Sequence, residues 1–181
     1  MELRLTRSTI RSWRPGDVAA LVRYANSRRV WRNLRDRFPH PYTARDAEEW
    51  IGRATEMVPE THFAIAVEEE AVGGIGLELQ TDVFRRSVEI GFWLAEPFWG
   101  RGIMSEAVRA MTDFAFATFD VCRVFASVFE WNPASMRVLE KAGYTCEGRL
   151  RKSVTKDGQT IDQMLYAIVR EEVPIGGAVA A

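Results

Sequence analysis

The feature that most constrains this chain is a hydrophobic period that changes twice. From Phe63 to Leu94 apolar residues alternate: Phe63, Ile65 and Val67, then Val72, Ile75, Leu77 and Leu79, then Val88, Ile90, Phe92 and Leu94. A period of two belongs to strands with one face buried, and three such runs joined by short turns predict an antiparallel meander. The flanking period is helical. Val18, Leu21, Val22 and Ala25 precede the meander, as do Ala47, Trp50, Ile51 and Ala54; Ile103, Ala107, Met111, Phe114 and Ala115 follow it. Leu3 to Ile10 reads as a first strand and Arg123 to Phe129 as a later one, and two last strands flank Asp157-Gly158, a hairpin signal. The order β, α, α, β, β, β, α, β, α, β, β is neither a regular βαβ alternation nor an all-β pattern. It predicts an α/β (α+β) mixed sheet of six to seven strands with helices on both faces.

Local signals place the helix ends. Asp17, after Pro15-Gly16, is the expected cap of the first helix, and Thr43 with Asp46 three residues on has the form of a capping box. Asn132-Pro133 reads as an N-cap followed by proline at the first helical position, and Gly143 suits the left-handed residue that ends that helix. The 181 residues are expected to form a single domain over 1–172, with a frayed Gly/Ala-rich tail over 173–181.

Composition narrows the function classes. The net charge of −1 gives no basic field to gather nucleic acid, so no direct nucleic-acid partner is expected. No apolar run approaches the length of a membrane span, and residues 1–7 lack a signal peptide's apolar stretch, so a cytoplasmic protein is expected. Cys122 and Cys146 sit in no metal-ligand spacing and are expected to be buried thiols; no metal site is expected.

The chemistry concentrates after the meander, in Glu89-Ile90-Gly91-Phe92-Trp93-Leu94 and Trp99-Gly100-Arg101-Gly102-Ile103-Met104-Ser105-Glu106-Ala107. A strand runs into a turn with alternate glycines, and the turn opens a helix. Glycine permits positive φ and close approach of a ligand, while the helix start offers free N–H groups and a partial positive charge. Such a turn suits a phosphate or pyrophosphate, with Arg101 adding a cation at its rim. It also fits a turn that needs glycine only for its geometry. No Gly-Lys-Ser/Thr follows, and the third glycine of the dinucleotide fingerprint is missing.

These residues resemble the acetyl-CoA loop of the GNAT N-acetyltransferases, in the RimJ/RimL-type branch that includes ribosomal-protein N-terminal acetyltransferases. Asn132-Pro133-Ala134-Ser135-Met136-Arg137-Val138-Leu139-Glu140-Lys141-Ala142-Gly143-Tyr144 is similar to that family's second cofactor segment. The resemblance implies a GNAT-like fold and an acyltransferase that moves the acetyl group of acetyl-CoA, a co-substrate, to a primary amine without a metal. It implies that backbone groups of Phe92, Trp93 and Leu94 pair with the pantetheine arm. Gly100, Arg101, Gly102, Ile103, Met104 and Ser105 would cradle the pyrophosphate, and Asn132 would bond the pantetheine. Many members place a tyrosine where this chain has Leu139. The branch instead has a serine at Ser135, the expected proton donor to the leaving thiolate.

The proton acceptor is less plainly written. Glutamates found in relatives are replaced here by the stretch Lys152-Ser153-Val154 and by Ser127, which leaves Glu89, and after it Glu130, as candidates. His62 is expected only to face a strand neighbour. Lacking a strong base, such a site favours an α-amine, titrating near roughly 8, over a lysine amine near roughly 10.4. The acceptor is therefore expected to be a peptide or protein N-terminus; a small-molecule amine, or an acyl-CoA sensor without turnover, are the alternatives. Monomer and homodimer both fit. The run Arg28, Arg29, Arg32, Arg35 and Arg37 is read either as a steering surface for an acidic or RNA-associated substrate or as a solvated helix end.

Overall fold

The computed structural model describes residues 1–170, so the tail expected over 173–181 lies outside the described residues. Eight strands form one mixed sheet: β1 (Glu2–Arg4), β2 (Thr9–Arg11), β3 (His62–Val67), β4 (Glu70–Leu79), β5 (Ser87–Leu94), β6 (Arg123–Phe129), β7 (Thr145–Lys156) and β8 (Gln159–Val169). Their order is β1-β2-β3-β4-β5-β6-β8-β7, and only the β5–β6 neighbours run parallel. The helices are α1 (Val18–Ala25), α2 (Arg28–Trp31), α3 (Ala44–Glu56), α4 (Ile103–Thr118) and α5 (Pro133–Lys141).

The extra strand arises at the N-terminus. The alternating run expected as one strand folds back on itself: the Leu5 N–H donates to Ser8 O, and β1 pairs with β2, Leu3 opposite Ile10. No glycine or proline marks that turn, so the alternation carries straight through it.

Helices cover both faces, as expected. Ile75, Leu77, Ile90 and Leu94 point to one face and pack with Ile103, Ala107, Met111 and Leu139 of α4 and α5. The opposite face, where Ala64 and Ala71 point, carries α1 and α3 through Leu21, Ala25, Ala47 and Ile51. Small residues on the sheet let those two helices sit close.

The expected ends hold in three places. Thr43 and Asp46 form a reciprocal capping box, Asn132 caps α5 by accepting the Ser135 N–H, and Gly143 has φ +96°. Asp157 and Gly158, at φ +52° and +73°, close the β7–β8 hairpin as a type I′ turn. Asp17 differs from expectation. It stands at the N-cap position of α1 without capping it, because its carboxylate accepts from both Arg11 terminal nitrogens at 2.8 Å and from the Arg14 N–H. Arg11 is buried, so its charge outcompetes a helix N–H for those oxygens.

Strand β7 is an edge. Its register slips between Leu150 and Val154, around Lys152 at φ +53°. Cys146, on this strand, is exposed and Cys122 only half-buried, against the expectation of two buried thiols. An edge strand with one uncovered face leaves a side chain pointing to solvent whatever its hydrophobicity.

Candidate functional site

The site begins where two strands part. β5 and β6 pair at only three rungs, Ser87–Arg123, Val88–Val124 and Glu89–Phe125, although β5 runs on to Leu94 and β6 to Phe129. Among the described residues, no strand lies beside this edge of β5 from Ile90 onward. A cavity of about 600 Å³ opens at this gap, lined on one side by Ile90 to Trp93 and on the other by Ala126 to Phe129.

Asn132 and Ser135 close the far wall of the cavity from the start of α5. Asn132 Oδ1 accepts the Ser135 N–H at 3.2 Å, and Asn132 Nδ2 donates to Ser135 Oγ at 2.9 Å. Since Ser135 Oγ receives a proton there, its own O–H is left to point elsewhere, and the cavity is beside it. Leu139, at the position of the tyrosine found in many GNAT members, is fully buried in the core and takes no part.

The phosphate-type loop follows β5. Gly100 and Gly102 have φ +75° and +80°, the left-handed region, and a Cβ at Gly100 would meet only open space. Gly102 caps α4, whose first backbone hydrogen bond runs from the Glu106 N–H to Gly102 O. The N–H groups of Ile103, Met104 and Ser105 therefore lie in the helix's first turn without a helical acceptor. The Arg101 guanidinium lies over the Phe98 ring, 5.2 Å from its centroid. Donors without helical acceptors at the positive end of a sixteen-residue helix suit a phosphate group.

Sequence reasoning missed the residues that hold this loop in place. Arg7, in the β1–β2 turn, donates through Nη1 to Arg101 O, and the Thr6 N–H donates to Glu106 Oε1 at 2.8 Å. The Thr6 hydrogen bonds, aided by Arg7, hold the Glu106 carboxyl below the usual carboxylate range. Turn and loop are 94 residues apart, and no local pattern signals their contact.

The other half of the cavity lies on the α3 face of the sheet, and glycine makes it. On antiparallel strands Gly76 stands opposite Gly91, and the next rung on that face pairs Glu78 with Glu89. A Cβ at Gly91 would meet nothing within 4 Å, so the hollow begins at that bare backbone. His62, opposite Gly76, lays its ring across it; a Cβ there would meet the ring at 2.4 Å. Phe38, Tyr42 and Trp50 roof the hollow.

The charges here are paired across the cavity. Arg35 bonds Glu89 and Arg37 bonds Glu78, each at 2.5 Å. Burial alone would raise the Glu78 carboxyl, but the hydrogen bond and charge of Arg37 outweigh it and hold it below its ordinary value. Burial also lowers the His62 imidazole, against the pull of Glu78 3.5 Å from Nε2, so the ring is neutral at pH 7. His62 Nδ1 lies 3.0 Å from Thr61 Oγ1, and the ring meets Trp50 edge-on. Thus His62, expected only to face a strand neighbour, is part of the cavity wall.

Of the two glutamates singled out in the sequence, Glu89 lines the cavity and Glu130 does not. Glu130 accepts from Arg149 and from the Asp162 N–H beneath the β7–β8 hairpin. The arginines of the run stay largely exposed, and most of them have a carboxylate partner. Arg28 pairs with Asp157, Arg29 with Glu96, Arg35 with Glu89 and Arg37 with Glu78, while Arg32 lies 4.2 Å from the Trp131 ring centroid. Asp36 completes the strap by accepting from the buried Lys156 at 2.7 Å. Only the end of the strap, with Arg35 and Arg37, lines the cavity. Among the described residues no group of three or more His, Cys, Asp or Glu is placed to hold a metal, and no helix is long and apolar enough to cross a membrane.

Known proteins share this architecture. Residues 7–145 match the family model described as the acetyltransferase (GNAT) domain. The chain is 37% identical over 119 residues to the probable N-acetyltransferase YjcK of Bacillus subtilis (strain 168), a match that spans 65% of this chain and 66% of that one. It is 30% identical over 105 residues, 58% of each chain, to the ribosomal-protein-serine acetyltransferase of Escherichia coli (strain K12). The Mycobacterium smegmatis RimJ structure in complex with CoA-disulfide superimposes with a TM-score of 0.79 at 27% identity, over 92% of this chain and 84% of that one. The parted strands, the glycine turn at the head of α4 and the family match over more than three quarters of the sequence lead to one assignment: the chain belongs to the GNAT acetyltransferase family.

Proposed function

We propose that this acetyltransferase moves the acetyl group of acetyl-CoA to the α-amine of a peptide or protein N-terminus. The observation that carries the reading is a single cavity that joins a free strand edge, a serine hydroxyl and a bare-backbone hollow beside Glu89. When bound, the co-substrate supplies an activated thioester. The edge at Phe92, Trp93 and Leu94, where Leu94 O already accepts from Trp99 Nε1 at 2.6 Å, takes its pantetheine amides as a further strand would. Asn132 bonds the same arm, and the loop from Gly100 through Arg101, Gly102, Ile103 and Met104 to Ser105 holds the pyrophosphate.

In this reading the acceptor enters under Phe38 and Trp50. Glu89 receives the ammonium and draws one proton from it, passing the proton to solvent. The neutral amine attacks the thioester carbonyl, the carbon–sulfur bond breaks, Ser135 Oγ–H donates to the departing thiolate, and the serine oxygen regains its proton from the nitrogen of the new amide. The groups facing the amine are carboxylates and a neutral imidazole, none of them a strong base. At neutral pH the free-base fraction of an α-amine exceeds that of a lysine amine by about a hundredfold, so the α-amine is the acceptor such a site serves. The name of the Escherichia coli relative, a ribosomal-protein-serine acetyltransferase, points the same way.

The test is thiol release from acetyl-CoA against a panel of amines. The panel holds peptides with free Ala, Ser or Met N-termini, their N-blocked forms, lysine peptides, polyamines and aminoglycosides. Turnover of free but not blocked N-termini is the expected result. Turnover confined to polyamines or aminoglycosides assigns a small-molecule acceptor instead. Binding of acetyl-CoA with no turnover on any amine leaves a sensor.

A further inference from the structure

We infer, building on the N-terminal reading above, that the preferred acceptor is an acidic N-terminus: an α-amine followed within two or three residues by carboxylates. The inference starts from the rung Glu78–Glu89. Like charges directly opposite on neighbouring strands destabilise a sheet. This pair sits one same-face step from the bare Gly76–Gly91 rung, at the edge of the hollow, and so forms a seat for a positive charge.

Arg35 and Arg37 fill that seat from the outside. Their side chains are 55% and 64% exposed, whereas Glu89 and Glu78 are 17% and 38% exposed. The carboxylates are thus the inner members of both pairs and the guanidiniums the outer ones. An ammonium arriving at the inner carboxylates takes over part of that pairing, and the guanidiniums are left at the mouth facing the residues that trail behind the amine.

A third cation stands with them. Arg53 of α3 also lines the cavity; its Nε donates to Glu49 O, and among the described residues no carboxylate pairs with it. Asp46 and Glu49 share that rim: Arg45 pairs with Glu49, while Thr43, a neutral partner in the capping box, leaves Asp46 its charge. The mouth therefore shows three guanidiniums against the one unneutralised carboxylate of Asp46, and the floor shows carboxylate. A zwitterionic acceptor, ammonium first and carboxylate behind, matches both. A polycation matches the floor and is repelled at the mouth.

The experiment compares kcat/KM for peptides sharing one free N-terminal Ser and differing only at the next two residues: Glu-Glu, Gln-Gln or Lys-Lys. Two exposed charge pairs near the upper end of their usual strength amount to about a tenfold preference for Glu-Glu over Lys-Lys. Arg53→Glu is expected to reduce or reverse that ratio, and Arg53→Gln to reduce it, with the acetyl-CoA dissociation constant and thermal midpoint of both variants as checks on folding. Equal rates across the three peptides overturn the inference, as does a ratio that Arg53→Glu leaves intact, and both outcomes leave the N-terminal reading standing. Failure to acetylate any free N-terminus overturns that reading and this inference with it.

Discussion

Replacing Gly102 by alanine tests the glycine loop most directly. The residue has φ +80°, where an L side chain costs roughly 1–2 kcal/mol. The new Cβ would also stand 2.8 Å from Arg7 Nη1, closer than real Cβ contacts allow. The clashing atom is the end of a flexible side chain, so the guanidinium yields and its bond to Arg101 O is lost. A hydrogen bond from a charged donor contributes about 1.5–3 kcal/mol, and surface exposure puts this one at or below the lower end. Together the two effects come to about 2–3 kcal/mol, borne mainly by the loop, because α4 is anchored by buried Ile103, Met104 and Ala107. Each ~1.4 kcal/mol is a factor of ten, so CoA should bind roughly 30- to 150-fold more weakly by titration calorimetry, with the far-ultraviolet spectrum unchanged. Gly100→Ala separates the contributions, for its Cβ meets nothing and only the positive φ, +75°, is charged against it. Its loss of affinity should be the smaller. In the Arg7→Ala background Gly102→Ala should cost less than in the parent, since the clash is gone. A folded Gly102→Ala protein that binds CoA normally would refute the placement of the loop.

Three further outcomes are expected. Ser135→Ala should lower kcat by about a hundredfold or more, the scale of general-acid catalysis, while acetyl-CoA affinity changes far less; an unchanged kcat removes Ser135 from the donor role. Asp17→Ala leaves Arg11 buried without its carboxylate, which should cost about 3–5 kcal/mol and lower Tm by on the order of 10 °C; a shift under about 2 °C would show the pair to be dispensable. His62 has a folded-state pKa below its unfolded value of 6.5, so the unfolded chain binds the extra proton. The stability from its neutral burial is complete above pH 6.5 and is lost as pH falls through the folded value. The drop in Tm between pH 7.5 and 5.5 should therefore be smaller in His62→Phe than in the parent, and equal drops would contradict the buried neutral ring.

Most of the fold was legible because its signals are local. A period of 3.6 or 2 and the pairs Thr43/Asp46, Asn132/Pro133 and Asp157/Gly158 each act within a few residues. The same locality explains the misreadings. Alternation passes through the β1–β2 turn unbroken, so two strands look like one. Asp17 has the residue type of a cap, yet its oxygens go to Arg11, only six residues back, a choice set by the burial of that guanidinium and not by residue type. The turn and helix start proposed to hold the co-substrate were legible for the same reason. The acceptor half of the site was not. Arg35 meets Glu89 across 54 residues and Arg37 meets Glu78 across 41, so a run of arginines looked like bare charge when each had a distant partner. His62 gave no signal beyond its type; its importance comes from Gly76 opposite, which clears the space its ring occupies.

Strand β7 bears on how copies of this protein behave at high concentration. It is twelve residues long and lies at the margin of an eight-stranded sheet, with no strand beyond it among the described residues. A straight edge of that length would be a template on which a second molecule's margin could zip. Register slips at Cys146–Gly148 and at Leu150–Val154 divide it into stretches of two or three residues in register, none long enough to fix an alignment. Arg149, Arg151 and Lys152 crowd the break with positive charge, which a copy of the same strand carries too. The irregularity that interrupts the sheet is thus its guard against growing into a fibre.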